Sequence, residues 1–233
     1  MKEKTLVSWS GGKDCTLALH ELLRSNSYDV AAFVTTITTE YDRVSMHGVR
    51  RSLLEEQAVS LGFPLEEVLL SKDSPHEEYE ARIRTVLEKY RKDGVSTVVF
   101  GDVFLEDVRR YREDNLSKID MRGVFPLWKR DTGRLARDFI AQGFQAMVTC
   151  VDSEALDYSF VGRVFDQSFV ADLPSGVDPC GENGEFHSFV FDGPLFRRSV
   201  GFVKGTVVVR DHRFYYCDLL PMARRRTQSK RKS

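Results

Sequence analysis

The chain has 233 residues, 42% hydrophobic and 30% charged, the composition of a soluble globular protein, not a disordered or fibrous one. A net charge of −1 argues against a general nucleic-acid binder, Leu6-Val7 is too short for a signal-peptide core, and no apolar run reaches membrane-spanning length. Four cysteines, Cys15, Cys150, Cys180 and Cys217, show neither disulfide-framework nor zinc-type spacing, so the expected compartment is the reducing cytoplasm.

In chain order, Thr5-Leu6-Val7 predicts a short strand, and Thr16 to Leu23 has helix-forming composition. Between them, Ser8-Trp9-Ser10-Gly11-Gly12-Lys13-Asp14-Cys15 forms a strand–turn–helix junction. Free backbone N–H groups, the positive end of a helix dipole and a lysine there suit a polyphosphate. The two glycines let the chain turn and approach an anion closely. The spacing fits neither the Walker pattern nor the dinucleotide fingerprint.

Val30 to Ile37 is a continuous β-prone run, the mark of a strand covered on both faces. Val49, Leu53, Leu54, Ala58 and Leu61 recur at helical spacing up to Gly62-Phe63-Pro64, and Leu65 to Leu70 is a further strand. Tyr79, Ile83, Val86, Leu87 and Tyr90 mark an amphipathic helix before Val95 to Gly101, a strand ending in Gly101-Asp102. A charged helical segment through Leu105, Val108 and Tyr111 leads to a strand near Gly123-Val124-Phe125. Strand and helix alternate with short connections, which predicts a doubly wound parallel α/β sheet over residues 1–128.

In such sheets ligands bind beyond the carboxyl ends of the strands. The Ser8 to Cys15 loop, the Thr35 segment and Gly101-Asp102 therefore converge at one edge. The pattern changes after Pro126. A helix around Leu135, Phe139 and Ile140, a buried strand over 146–151 and a hairpin around Asp211-His212-Arg213 predict a smaller α+β domain over 129–222. Residues 223–233 hold six basic residues and no acidic one, and read as a solvated basic tail.

A second polar constellation runs Gly181-Glu182-Asn183-Gly184-Glu185-Phe186-His187-Ser188, just before an apolar strand. Two carboxylates and an imidazole on a glycine-rich turn are placed to reach a substrate. Composition alone reads the same stretch as a solvated turn.

Ser10 to Asp14 resembles the PP-loop of ATP pyrophosphatases. With Pro126-Leu127-Trp128, Asp152 to Asp157, Gly162-Arg163 and Gly181 to Phe196, the chain is similar to the diphthine–ammonia ligase family of PP-loop enzymes, almost throughout. The resemblance implies an adenine nucleotide alpha hydrolase-like fold and an ATP-dependent carbon–nitrogen ligase. A substrate carboxylate would be adenylated, with release of pyrophosphate, and ammonia would then displace AMP.

It further implies ATP on Ser8, Ser10, Gly11, Gly12, Lys13, Asp14, Cys15, Thr35, His47, Gly101 and Asp102, with Mg²⁺ at Asp14. The catalytic set it implies is Lys13, Asp14, Glu182, Glu185 and His187, the last with a pKa suited to neutral pH. Substrate contacts would come from Trp128, Gly181, Glu182, Asn183, Gly184, Glu185 and His187. The partners are ATP, a carboxylate substrate and ammonium, with neither a membrane nor a nucleic acid; a homodimer stays open.

Departures from the family pattern bear on the acceptor. Asn183 stands where the family commonly has Gly, and His187-Ser188 replaces an acidic residue and Thr. Ser45 to Arg51 resembles a bacterial branch, whose substrate differs because bacteria lack diphthamide; a corrinoid-related carboxylate is one candidate. The same loop would also suit an RNA-modifying PP-loop enzyme or a non-catalytic nucleotide binder. Cys15 replaces the family's usual Ser, and without a second cysteine nearby in sequence it is not read as a nucleophile.

Overall fold

The computed structural model describes residues 2–222, so the basic tail expected over 223–233 lies outside the described residues. Chain order is β1 (Glu3–Ser8), α1 (Lys13–Ser25), β2 (Tyr28–Thr38), β3 (Arg43–Val44), α2 (Arg51–Leu61), β4 (Leu65–Leu70), α3 (His76–Lys92), β5 (Thr97–Val99), α4 (Glu106–Ser117) and β6 (Arg122–Val124). Next come α5 (Thr132–Ala141), β7 (Gln145–Asp152), a 3₁₀ turn (Tyr158–Phe160), α6 (Gln167–Asp172), β8 (Phe186–Asp192), β9 (Phe202–Arg210) and β10 (Phe214–Pro221).

The first sheet runs β2-β1-β5-β6 in parallel, with β4 parallel to β2 on its outer side. The two-residue β3 pairs antiparallel with Ile37 and Thr38, which also pair with Leu69 and Leu70 of β4. It therefore extends the sheet past the end of β1, where β2 outruns its neighbour. Sequence reading missed β3 because two residues carry no periodicity.

From β1 the chain steps through α1 to β2 and through α2 to β4, then returns by α3 to β5 on the opposite side of β1. With right-handed crossovers, this reversal puts α1 and α2 on one face and α3 and α4 on the other. The β1–β5 edge is the topological switch point.

The faces divide the core in two. Leu6, Ala32, Val34, Val98, Leu87 and Leu116 form a cluster under α3 and α4. Val7, Phe33, Leu19 and Leu53 belong to a larger cluster continuous with Phe139, Phe165, Phe169 and Phe186 from the second half. The second, antiparallel sheet, β8-β7-β10-β9, thus shares one core with the α1–α2 face of the first. The expected doubly wound sheet with a smaller α+β part is the architecture found. The expected hairpin around Asp211-His212-Arg213 is β9–β10, whose pairing runs from Arg210–Phe214 at the turn to Phe202–Pro221 at the open end.

Candidate active site

Helix α1 starts at Gly12 without a side-chain cap, so the first-turn N–H groups rely on partners outside the helix. One partner comes from the second sheet: the Lys13 amide donates to Ser188 Oγ at 3.2 Å. The loop is also braced by Gln57, fully buried, which donates to Gly11 O at 3.0 Å and accepts from Trp9 Nε1 at 2.8 Å. Val190 N donates to the same Gly11 carbonyl at 2.9 Å. Gly11 itself has φ +80, and a Cβ there would meet Leu54 Cδ1 at 2.7 Å, so only glycine closes this turn. Gln57 gives no signal in the sequence, because a lone polar residue on a helix has no pattern; Ser188 belongs to the Gly181 to Ser188 constellation but was not among the expected site residues.

A cavity of about 550 Å³ opens at the switch point, within the usual size range for a small-molecule site. Its wall gathers Ser8, Ser10, Asp14, Cys15, Thr35, His47, Gly101, Asp102, Gly181, Glu182, Gly184 and His187. These come from separated stretches of chain, and all were expected at the site. Gly101 permits the convergence: a Cβ there would lie 2.8 Å from the Asp14 carbonyl carbon and the Cys15 amide nitrogen.

The other expected residues are not on this wall. Gly11 and Gly12 supply the backbone of the turn; a Cβ on Gly12 would sit 3.7 Å from His47 Cε1. Lys13 points behind the loop, 2% exposed. Its ammonium donates to the Cys180 carbonyl and to Asp14 Oδ2 at 2.9 Å, and lies 5.1 Å from the Phe186 ring centroid. It is an anchor inside the protein in this structure, not a group projecting to the phosphates. Burial works against its charge, and Asp14, Cys180 and Glu182 together outweigh that, so its pKa is raised.

Glu185 is also buried, at 7% exposure, and holds its own turn. It accepts from Asp178 N at 3.0 Å, Asn183 N at 3.0 Å and Asn183 Nδ2 at 2.9 Å. Glu185 and Asn183 therefore shape the loop without lining the cavity. Trp128 stands apart, edge-on to Phe125 and under the Arg109 guanidinium at 4.6 Å.

Glu182 is the carboxylate of this loop that does reach the cavity. Its Oε1 accepts from Val103 N at 2.7 Å and Phe104 N at 3.3 Å, bridging to the segment after β5. Burial pushes its pKa up to about 7; the Val103 amide opposes this, and the negative charge of Asp14 adds to it. His187 and His47 face each other with ring centroids 4.3 Å apart. Burial and the charge of Lys13 push His187 down to about 4, and burial holds His47 well below its ordinary value. Both imidazoles are neutral at pH 7, which corrects the expectation of a neutral-range His187: its motif carried no information about burial. Cys15 donates to Gly12 O at 3.1 Å, and burial pushes its thiol up, leaving no thiolate for nucleophilic attack.

Five cavity-lining groups carry buried polar atoms with no hydrogen-bond partner among the described residues: Asp14 Oδ1, Thr35 Oγ1, His47 Nδ1, and Asp102 Oδ2 with Arg112 Nε, the last two facing each other only as an ion pair at 2.8 Å. Such atoms are costly unless a ligand, ion or water completes them. Among the described residues no cluster of three or more His, Cys, Asp or Glu forms a ready metal cage. Asp14 Oδ1 fits Mg²⁺ in the way that ion is commonly held, by one carboxylate together with phosphate and water oxygens.

The family model described as the diphthamide synthase N-terminal domain matches residues 3–122, and the one described as its C-terminal domain matches residues 131–217. The chain belongs to the diphthamide synthase family. It is 31% identical over 133 residues to human diphthine–ammonia ligase, covering 54% of this chain and 48% of that protein. It is 25% identical over 248 residues to the zebrafish (Danio rerio) diphthine–ammonia ligase, covering 95% of each. The fission yeast (Schizosaccharomyces pombe) protein of the same name is 25% identical over 134 residues, covering 55% of this chain and 22% of its own length. The chain thus spans about half the length of the mammalian relatives it matches. Among the described residues no helix is long and apolar enough to cross a membrane.

Proposed function

We propose that this family member is an ATP-dependent, amide-forming ligase that adenylates a substrate carboxylate. The observation that carries the reading is the cluster of unpartnered Asp14, Thr35 and His47 atoms beside the start of α1 at the switch point, where the N-cap residue Gly12 offers no side chain. A polyphosphate with its cation completes such a cluster, and the name of the relatives supplies the reaction class.

ATP lies with its phosphates over the backbone of Ser10, Gly11 and Gly12, and its nucleoside runs toward Thr35 and His47. Mg²⁺, held by Asp14, would neutralise charge on the phosphates. An acceptor carboxylate oxygen attacks the α phosphorus, and the bond to the departing pyrophosphate breaks. Ammonia then attacks the acyl carbon, AMP leaves, and the nitrogen gives up a proton. Glu182, at the cavity with a pKa near 7, is the group matched to accept it. The rest of the work is positioning and fixed electrostatics. Lys13 contributes by fixing the loop and not by contacting phosphate. Within this reading residues 1–128 form the nucleotide half and 129–222 the half that carries Glu182 and His187.

The test is product analysis with ATP, Mg²⁺, ammonium and a panel of carboxylic acids. Acid-dependent formation of AMP and pyrophosphate is expected. Formation of ADP and phosphate overturns the adenylation step.

A further inference from the structure

The cavity is larger than a loop-and-phosphate site requires, because it continues under α3 and α4. Its far end is walled by Ile83 and Leu87 of α3, Val108 and Leu116 of α4, and Val98 and Phe100 at the end of β5. The chemistry of the two ends differs. At the loop end lie the unpartnered Asp14, Thr35 and His47 atoms. At the far end the polar groups are engaged with one another. Glu80 Oε1 accepts from Tyr111 Oη at 2.9 Å and from Asn115 Nδ2 at 3.3 Å. Arg112 pairs with Asp102 at 2.8 Å and stacks 4.4 Å from the Phe100 ring centroid. Arg84, on the rim, has no ion-pair partner among the described residues.

A purine at the far end would lose hydration of its ring nitrogens and find few open partners, a loss of free energy. An apolar body would lose nothing and gain burial. The cover is thin in a matching way: α3 and α4 each bury a single residue, Leu87 and Leu116, leaving Ile83 and Val108 half-buried.

We propose that the compartment under α3 and α4 is a second subsite, which takes the body of the acceptor: a small carboxylic acid on an uncharged, apolar scaffold, with a further anionic substituent reaching Arg84. This rests on the reading of the loop end as the ATP site. The acceptor carboxylate then emerges on the α4 side of the switch point, facing phosphates held from the α1 side.

The test uses anilinonaphthalene sulfonate, an aromatic body with one anion, titrated fluorometrically into the full chain with and without saturating α,β-methylene-ATP and Mg²⁺. One dye per chain is expected, bound alike in both conditions. Ile83→Trp, which fills the compartment, should weaken dye binding about tenfold or more, the scale of roughly one lost side-chain burial, and leave nucleotide binding unchanged. Val108→Phe does the same from the opposite wall, should Ile83→Trp fold poorly. Competitive displacement of the dye by the nucleotide overturns the proposal, because the compartment then belongs to the nucleoside. Dye binding untouched by either variant overturns it also. Absent nucleotide binding with intact, variant-sensitive dye binding would refute the ATP reading instead.

Discussion

Replacing Gly101 with Ala tests how tightly the end of β5 is fitted to the phosphate loop. The added Cβ would sit 2.8 Å from the Asp14 carbonyl carbon and 2.8 Å from the Cys15 amide nitrogen. Both are backbone atoms, so no side chain can swing aside. Carbon contacts at optimal separation lie near roughly 3.5 Å, so loop and strand must part by about 0.7 Å. Overpacking of this kind costs about 1–3 kcal/mol, or roughly 2–12 °C in Tm for a domain of this size. A displacement approaching 1 Å at a reacting centre costs on the order of a hundredfold in rate. Differential scanning calorimetry and nucleotide titration read the two effects. Gly176→Ala, with nothing within 4 Å of the new Cβ, should be silent in both. A Gly101→Ala protein with unchanged Tm and unchanged nucleotide affinity would refute the close approach of these segments.

Three further outcomes follow from the buried groups. Lys13→Met should leave Asp14, whose side chain is 29% exposed at the cavity, without its cation and lower stability by about 1–3 kcal/mol; a variant of wild-type stability that fails only to bind nucleotide would instead make Lys13 a phosphate ligand. Because Glu182 holds its proton up to about 7 in the folded chain against an ordinary 4.5, folded protein binds more protons than unfolded between those values, and stability falls as pH rises through that window. Glu182→Gln should therefore raise Tm at pH 8 more than at pH 4.5 while reducing turnover; equal shifts at both pH values would count against the raised pKa. For His187 the sign is opposite: a folded value of about 4 against 6.5 makes stability fall as pH drops from 6.5 to 4, by at most about 3 kcal/mol, and His187→Gln should flatten that limb of the Tm–pH curve.

The parallel sheet was legible because each buried strand is a continuous β-prone run and each helix carries its own apolar period. Val30 to Ile37 and Leu65 to Leu70 fall inside β2 and on β4. Glycine-flanked polar residues pointed to the cavity wall well, since Ser10, Asp14, Gly101, Asp102, Glu182 and His187 all line it. Side-chain direction was not legible. Lys13 and Glu185 sit in the same motifs as Asp14 and Glu182, yet each turns inward, one to the Cys180 carbonyl and the other to its own loop. Adjacent residues at a helix start or in a turn point different ways, and only the packing of the second sheet decides which way is buried. The compartment under α3 and α4 was invisible for a related reason: Ile83, Leu87 and Val108 read as ordinary amphipathic spacing, which is the same whether the apolar face meets a neighbour or a cavity.

The proposed chemistry depends above all on ATP lying at the β1–β5 switch point with its phosphates on the Ser10 to Gly12 backbone. A crystal structure with α,β-methylene-ATP and Mg²⁺ bound puts that placement to the test. Phosphate density over that backbone, with the cation against Asp14 Oδ1, is the expected result. A nucleotide whose phosphates lie under α3 and α4, or away from this cavity altogether, would contradict it.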